Sequence, residues 1–449
     1  MRRKRKIWRR KISRRKNQQG VIITLVAVFM LFVIGAMAAL SIDVVTLYTA
    51  RSEAQLAADA AALAGARVLA NSGTTSDTTG ASMPNAETLA SAVALQVGQQ
   101  SMVGGRYLIA ANGEVAVVGF LGTPTNPCPA PNPAPTNPCI TVHVQRTDLP
   151  TFFARIWGTR QVTVTASATA EAYNPSGANL VGGTMPPVAP ICVKPWLLPN
   201  VDPTSSPNPI FVTGTGQIAP TAGTLLGYET PLAPGTTRLK LACGAPNTAT
   251  PANCTAPLPA PQALRFYPGD PASFPAPTAA LPACTPVLTT PYEESVAGCI
   301  QTPIACNSQV NIEQPAYPTR ETETADAVNC LTHVATGADT VDPAATAPPF
   351  EYLAGAGNPI PGLATNDVMV SNSLVTLPVF DTSGGVPPNP VTIIGFVQLF
   401  LSPEGQVTPA SGHMHAKVIN MAGCGTGWTA TPILGNGASP VAVRLISPP

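Results

Sequence analysis

Charge is what this sequence has least of. Only 10% of its 449 residues are Asp, Glu, Lys or Arg, against about 25% in an ordinary soluble domain. Proline is missing from residues 1–123 except for Pro84, although the chain holds 51 in all. Proline breaks helix interiors, so long helices are confined to the first part and excluded from most of the rest. Cysteine is missing before Cys128, and none of the ten cysteines forms a C-x-x-C pair. Neither a thioredoxin-like nor a zinc-ribbon spacing is therefore available. The phosphate-cradling G-x-x-x-x-G-K-[ST] loop, the G-x-S-x-G elbow and H-E-x-x-H are all lacking. Their lack removes the usual signatures of a nucleotide motor, a serine hydrolase and a zinc protease.

What charge there is sits unevenly. Eleven Lys or Arg fall within residues 2–16, leaving 13 basic against 23 acidic residues, a net −10, in the body. Val21–Ile42 then runs for 22 residues without a charge. About 20 apolar residues cross a bilayer as a helix, and basic residues stay on the cytoplasmic side. The reading is a basic cytoplasmic tail (1–20), a membrane span (21–42) with Asp43 just beyond it, and the bulk outside the cytoplasm. A basic tail can also bind nucleic acid or be a solvated charge run; its place before a span favours orientation and contact with anionic lipid. Ala36-Met37-Ala38 has the small-x-small form of a signal-peptidase site, but the helical pattern continues unbroken beyond it.

That pattern is rich in alanine, the best helix former. Leu47, Ala50, Ala54, Ala57, Ala61, Ala64 and Val68 recur at alternating spacings of three and four, one narrow seam along a helix. Arg51, Gln55 and Asp59 form a polar stripe at i, i+4 and i+8. From Val21 to Ala70 a single helix would be about 75 Å long. The seam suits either the protein's own sheet or another helix. A loop over 71–82 and a second helix over 86–100, facing inward with Leu89, Val93 and Val97, are expected next. Arg106–Ile109 and Val115–Leu121 flank Asn112-Gly113, a hairpin signal. Ile140–Gln145 and Val162–Ala168 alternate as strands, with a short helix expected over Thr151–Trp157.

Residues 174–345 are rich in Pro, Thr and Ala but hold seven cysteines, so the region reads as stapled, with a short helix over Thr324–His333. Outside the cytoplasm disulfides persist. The pairing stays open; Cys128–Cys139 and Cys243–Cys254 are local candidates, the first worth on the order of 3 kcal/mol. Ser373–Phe380, Thr392–Leu401, Ala416–Ile419 and Val441–Ile446 read as a small antiparallel β domain over 346–449. The fold class is α+β: a transmembrane and stalk helix with a sheet beside it over 43–173, the stapled region, and the β domain.

Three weaker patterns carry little. Gly214-Thr215-Gly216-Gln217-Ile218-Ala219 imitates a dinucleotide fingerprint, but Pro220 stops the helix that must follow. His413-Met414-His415 puts two rings on one side of a strand with no third ligand nearby in sequence. Asp381-Thr382-Ser383-Gly384-Gly385 suits a turn. No catalytic, cofactor or metal site, no nucleic acid and no small-molecule substrate is expected.

Gly20, the apolar span, Asp43, Tyr48, Arg51 and Gln55-Leu56-Ala57-Ala58-Asp59-Ala60-Ala61-Ala62-Leu63-Ala64-Gly65-Ala66 resemble the N-terminal domain of the TadE/TadG-like Flp pilus-assembly family. Phe152–Gly158 with Val162–Ala170 is similar to members of the group, and so, more distantly, is Pro378–Asp381 with Ile394–Phe396. The resemblance implies a pilin-like, membrane-anchored component of a Flp (Tad, type IVb) pilus or secretion system in a bacterial inner membrane. Its partners would be lipid and other pilus-assembly or pilin-like proteins. A membrane-tethered adhesin or binding module is the alternative class. In the processed members of this group a Glu stands five residues after the cleaved Gly; here that residue is Leu25. An acidic side chain inside lipid is costly and kept for a role, so the lack of one implies retention of the tail. Gly20→Ala is accordingly expected to leave the mass of the membrane-extracted chain unchanged, whereas a new N-terminus at Val21 would show processing.

Overall fold

The computed structural model describes residues 15–121, 137–176, 188–200, 209–219, 239–240, 265–266, 284–310, 320–381, 390–402, 413–424, 433–434 and 439–446, less 78–79, 300–301, 346, 361, 363 and 365. The molecule is α+β. Helix α1 runs unbroken from Arg15 to Asn71, about 85 Å at 1.5 Å per residue. It carries no proline, and its composition changes at Asp43 from bulky apolar residues to alanine. Before Asp43 its apolar side chains are exposed; beyond it one side is buried.

The alanine seam packs on the protein's own sheet. Ala50, Ala54, Ala57, Ala61 and Val68 are buried together with Ala58, Ala62 and Ala66. Opposite lie β4 (Cys139–Pro150) and β5 (Gln161–Tyr173), whose inward residues Ile140, Val142, Val144, Ala168 and Ala170 complete the core. Alternation along the two strands puts these residues on one face. Helix α2 (Met83–Gln99) lies beside α1. Its fully buried line is Ala86, Ala90, Ala94 and Gly98 rather than Leu89, Val93 and Val97, which are half-buried on the flank. Two alanine-rich helices approach closely, and only small side chains fit on the line of contact.

The hairpin signal at Asn112-Gly113 resolves differently. Gly113 sits in the left-handed region and closes a short 3-10 turn, Ala110–Asn112. The hairpin forms earlier, between β1 (Met102–Val103) and β2 (Arg106–Tyr107), across Gly104 and Gly105, both with positive φ. Two positive φ values are what a tight two-residue hairpin turn requires. β3 (Val115–Leu121) pairs with β4 instead. The Thr151–Trp157 segment holds a 3-10 turn at Ala154–Trp157.

In the later part of the chain, strands Leu374–Phe380, Val391–Ser402 and His413–Gly423 form consecutive antiparallel pairs. Trp196–Pro199 joins their sheet in parallel, with Val379 opposite Leu198, so the sheet is mixed rather than purely antiparallel. The expected last strand, Val441–Ile446, forms over Ala442–Ile446 but does not join it. It pairs with the far end of β5, Arg444 opposite Glu171. There the Arg444 Nε donates to the buried Glu171 carboxylate, and its guanidinium lies over the Tyr173 ring.

Helices α3 (Pro291–Ala297) and α4 (Arg320–Leu331) cover one face of the mixed sheet. The Trp196 indole N–H donates to the Tyr292 hydroxyl at 2.9 Å, and that hydroxyl bonds Thr324 at 2.7 Å. Disulfides Cys192–Cys299, Cys284–Cys330 and Cys306–Cys424 tie strands and helices together. Cys139 is also disulfide-bonded; Cys128, Cys243 and Cys254 lie outside the described residues.

Phe211 is buried against two glycines. Gly395 and Gly423 face each other on neighbouring strands, and a Cβ on either would strike the Phe211 ring. Gly395→Ala is expected to destabilise the protein by about 1–3 kcal/mol through overpacking. In Phe211→Ala the same change should cost far less, because neighbours couple. Chemical denaturation of the four-member mutant cycle measures both.

Candidate functional site at the stalk helix

The motif residues on α1 differ in burial. Asp43 is the first charged residue after the apolar run, and it is buried. Its carboxylate accepts three backbone N–H bonds, from Phe152 at 2.9 Å, Phe153 at 3.0 Å and Ala154 at 2.6 Å. These amides open the 3-10 turn that leads to β5, where amides have no helical acceptor of their own. Burial alone would raise the Asp43 carboxyl, but the N–H groups of Ala154, Phe152 and Phe153 outweigh it and hold it below the ordinary carboxylate value.

Further along, Glu53 accepts the Gly104 N–H at 2.6 Å and so ties the β1–β2 hairpin to α1. Gln55 donates to Asp59 at 2.8 Å and to the Ser167 carbonyl of β5 at 3.2 Å. Two members of the polar stripe thus meet as their spacing implies, and one also reaches the sheet. Leu63 is half-buried against the alanine core. Tyr48 and Arg51 are exposed. Tyr48 is 74% exposed, and with Leu47 and Arg51 it lines a groove of about 320 Å³ against Val162–Thr165 of β5. Val45 and Leu56 extend this exposed side of the helix. Gly20 lies inside α1, one residue before the apolar run.

The other patterns form structure. Gly214–Ala219 lies in a tight turn closed by the Phe211–Ile218 bridge, with the Val212 N–H on the Gln217 carbonyl. His413 and His415 begin a strand. Of Asp381–Gly385 only Asp381 is among the described residues. No cluster of three or more His, Cys, Asp or Glu that could hold a metal occurs among the described residues. Lys194 is fully buried; burial lowers its ammonium to about 7, and it donates to the Val296 carbonyl at 2.7 Å near the end of α3.

Residues 20–68 match the Flp pilus-assembly TadE/G-like family model. The matched segment is α1 alone, from the start of the apolar run to the last turns of the stalk. No curated protein and no solved structure matches the chain. The TadE/G-like segment therefore contains both the one helix among the described residues long and apolar enough to cross a membrane and the spine of the α+β unit.

Sequence reasoning singled out both Asp43 and Phe152–Gly158, yet not their contact. They are 109 residues apart at the closest pair, and no local spacing signals a carboxylate that caps a distant turn. The acid dependence of this cap has a definite sign. The folded carboxyl titrates lower than a free one, so its contribution is present above the ordinary carboxylate value of 3.8 and is lost as pH falls through the lower folded value. Asp43→Asn cannot ionise and turns an N–H donor toward donors. It should melt lower than the wild type at pH 6, and the gap should narrow toward pH 3; a constant gap across that range would contradict the cap.

Proposed function

We propose that the protein is a structural component of a Flp (Tad, type IVb) pilus or secretion system: a pilin-like unit held in the bacterial inner membrane by a single span. One observation carries the reading. The TadE/G-like helix is at once the apolar span and the spine against which a four-stranded sheet folds. A helix that continues from lipid into a sheet-backed stalk holds a folded head at a set height above the bilayer, which suits an assembly part better than a catalyst. The N-terminus lies in the cytoplasm and the bulk outside. Eleven basic residues before the span and Asp43 after it support that orientation, and the disulfides of the later part suit the outer compartment.

The outward Tyr48, Arg51 and Leu56 are the residues offered to other pilus-assembly or pilin-like proteins. Buried Asp43, half-buried Leu63 and the Gln55–Asp59 pair, through the Ser167 carbonyl, keep the stalk on its sheet, and Gly20 marks the cytoplasmic entry to the span. The role is non-enzymatic and uses no cofactor.

Crosslinking in intact cells followed by purification of the full chain tests the reading. Pilus-platform proteins are expected among the crosslinked species, and fewer of them with Tyr48→Ala and Leu56→Ala combined. Their absence, together with binding of the purified protein to carbohydrate or matrix, would transfer the protein to the adhesin class.

A further inference from the structure

We propose that the loop Thr151–Arg160 seats the folded part of the protein on the bilayer surface. Phe152 enters the headgroup layer, and Arg155 and Arg160 face anionic lipid phosphates. This rests on the reading of α1 as a membrane anchor.

Val21–Ile42, at 1.5 Å per residue, spans about 33 Å, close to the roughly 30 Å of hydrocarbon in a bilayer. Asp43 then stands at the boundary between hydrocarbon and headgroups. Its carboxylate holds the N–H groups of Phe152, Phe153 and Ala154 within 3.0 Å. The loop backbone is thus fixed at the depth of Asp43, inside a headgroup layer about 5–7 Å thick on each side. A tether so short leaves the loop no other level to occupy while α1 spans.

The side chains suit that level. Phe152 is 64% exposed, which in water would leave a large apolar ring uncovered, and aromatic rings concentrate at the membrane interface. Arg155 and Arg160 are exposed, and among the described residues neither has an ion-pair partner. The segment from Thr151 to Arg160 contains no acidic residue. A basic, aromatic, acid-free loop held beside a span matches an anionic lipid surface. This seat is separate from the basic tail, which lies at the other end of the span. Helix and loop together give the head two attachments to the bilayer and so a fixed tilt.

The full chain carrying photoreactive benzoylphenylalanine in place of Phe152 tests the seat. It is reconstituted in vesicles of phosphatidylglycerol and phosphatidylethanolamine, irradiated, and weighed by mass spectrometry. The same probe at Leu31, within the span, and at Ile360, exposed between two segments that bond the opposite end of α1, sets the scale. Lipid adducts are expected at 152 within about threefold of those at 31, with at least tenfold fewer at 360. Adducts at 31 but none at 152, or protein adducts in place of lipid at 152, would overturn the seat and leave the anchor standing. No adduct at 31 would overturn both. Arg155→Glu with Arg160→Glu should cut the yield at 152 severalfold; an unchanged yield would refute the role of the two arginines.

Discussion

Everything in this protein depends on one helix that does not break where its solvent changes. In lipid a backbone must satisfy its own hydrogen bonds, which α1 does through its regular ladder. Beyond Ile42 the same ladder continues, and one side of the helix is buried in protein. Alanines allow β4, β5 and α2 to approach closely, so burial on one side replaces the uncovered apolar surface of the preceding turns. The alanine seam alone would let the helix slide or rotate on its sheet. Polar contacts at fixed heights prevent that: Asp43 on the 152–154 amides, Glu53 on Gly104, and Gln55 on Ser167.

The other end of α1 is locked to the later part of the chain. The Asn420 side chain donates to the Ala70 carbonyl and to Gln398, and the Tyr352 hydroxyl donates to the Asn71 carbonyl at 2.6 Å. The Phe350 N–H donates to the Ser72 carbonyl at 2.8 Å. Asn174, just past β5, reaches Ser76 and the Met421 carbonyl. The bonds to Ala70 and Asn71 satisfy carbonyls that a helix end leaves open. Being buried and specific, they fix how the mixed sheet sits on the stalk. The crossing of Ala442–Ile446 back to β5 adds a second connection.

Much of α1 was legible because helix signals are local: no proline, dense alanine, spacings of three and four, and an uncharged run of membrane length. The long strands of the later sheet were legible for the same reason. What escaped depends on partners distant in sequence. Nothing near Asp43 announces Phe152, and nothing near Arg444 announces Glu171. The Asn112-Gly113 signal was real as a turn but misleading as a hairpin, because Gly104-Gly105 supplied a better two-residue turn nearby. Leu89, Val93 and Val97 had the right period but the wrong bulk for a helix contact lined with alanine. Trp196–Pro199, embedded in proline-rich sequence, became a strand through two partners distant in sequence, Leu374–Phe380 on one side and Arg265–Phe266 on the other.

A helix continuous through Asp43 makes span and stalk move as one rod. Amide hydrogen exchange, resolved residue by residue in bilayer-reconstituted protein, tests it most directly. Protection across Asp43–Ala50 as strong as that across Ala54–Val68 is the predicted result. Rapid exchange confined to Asp43–Ala50 would reveal a hinge at the membrane surface and contradict the account.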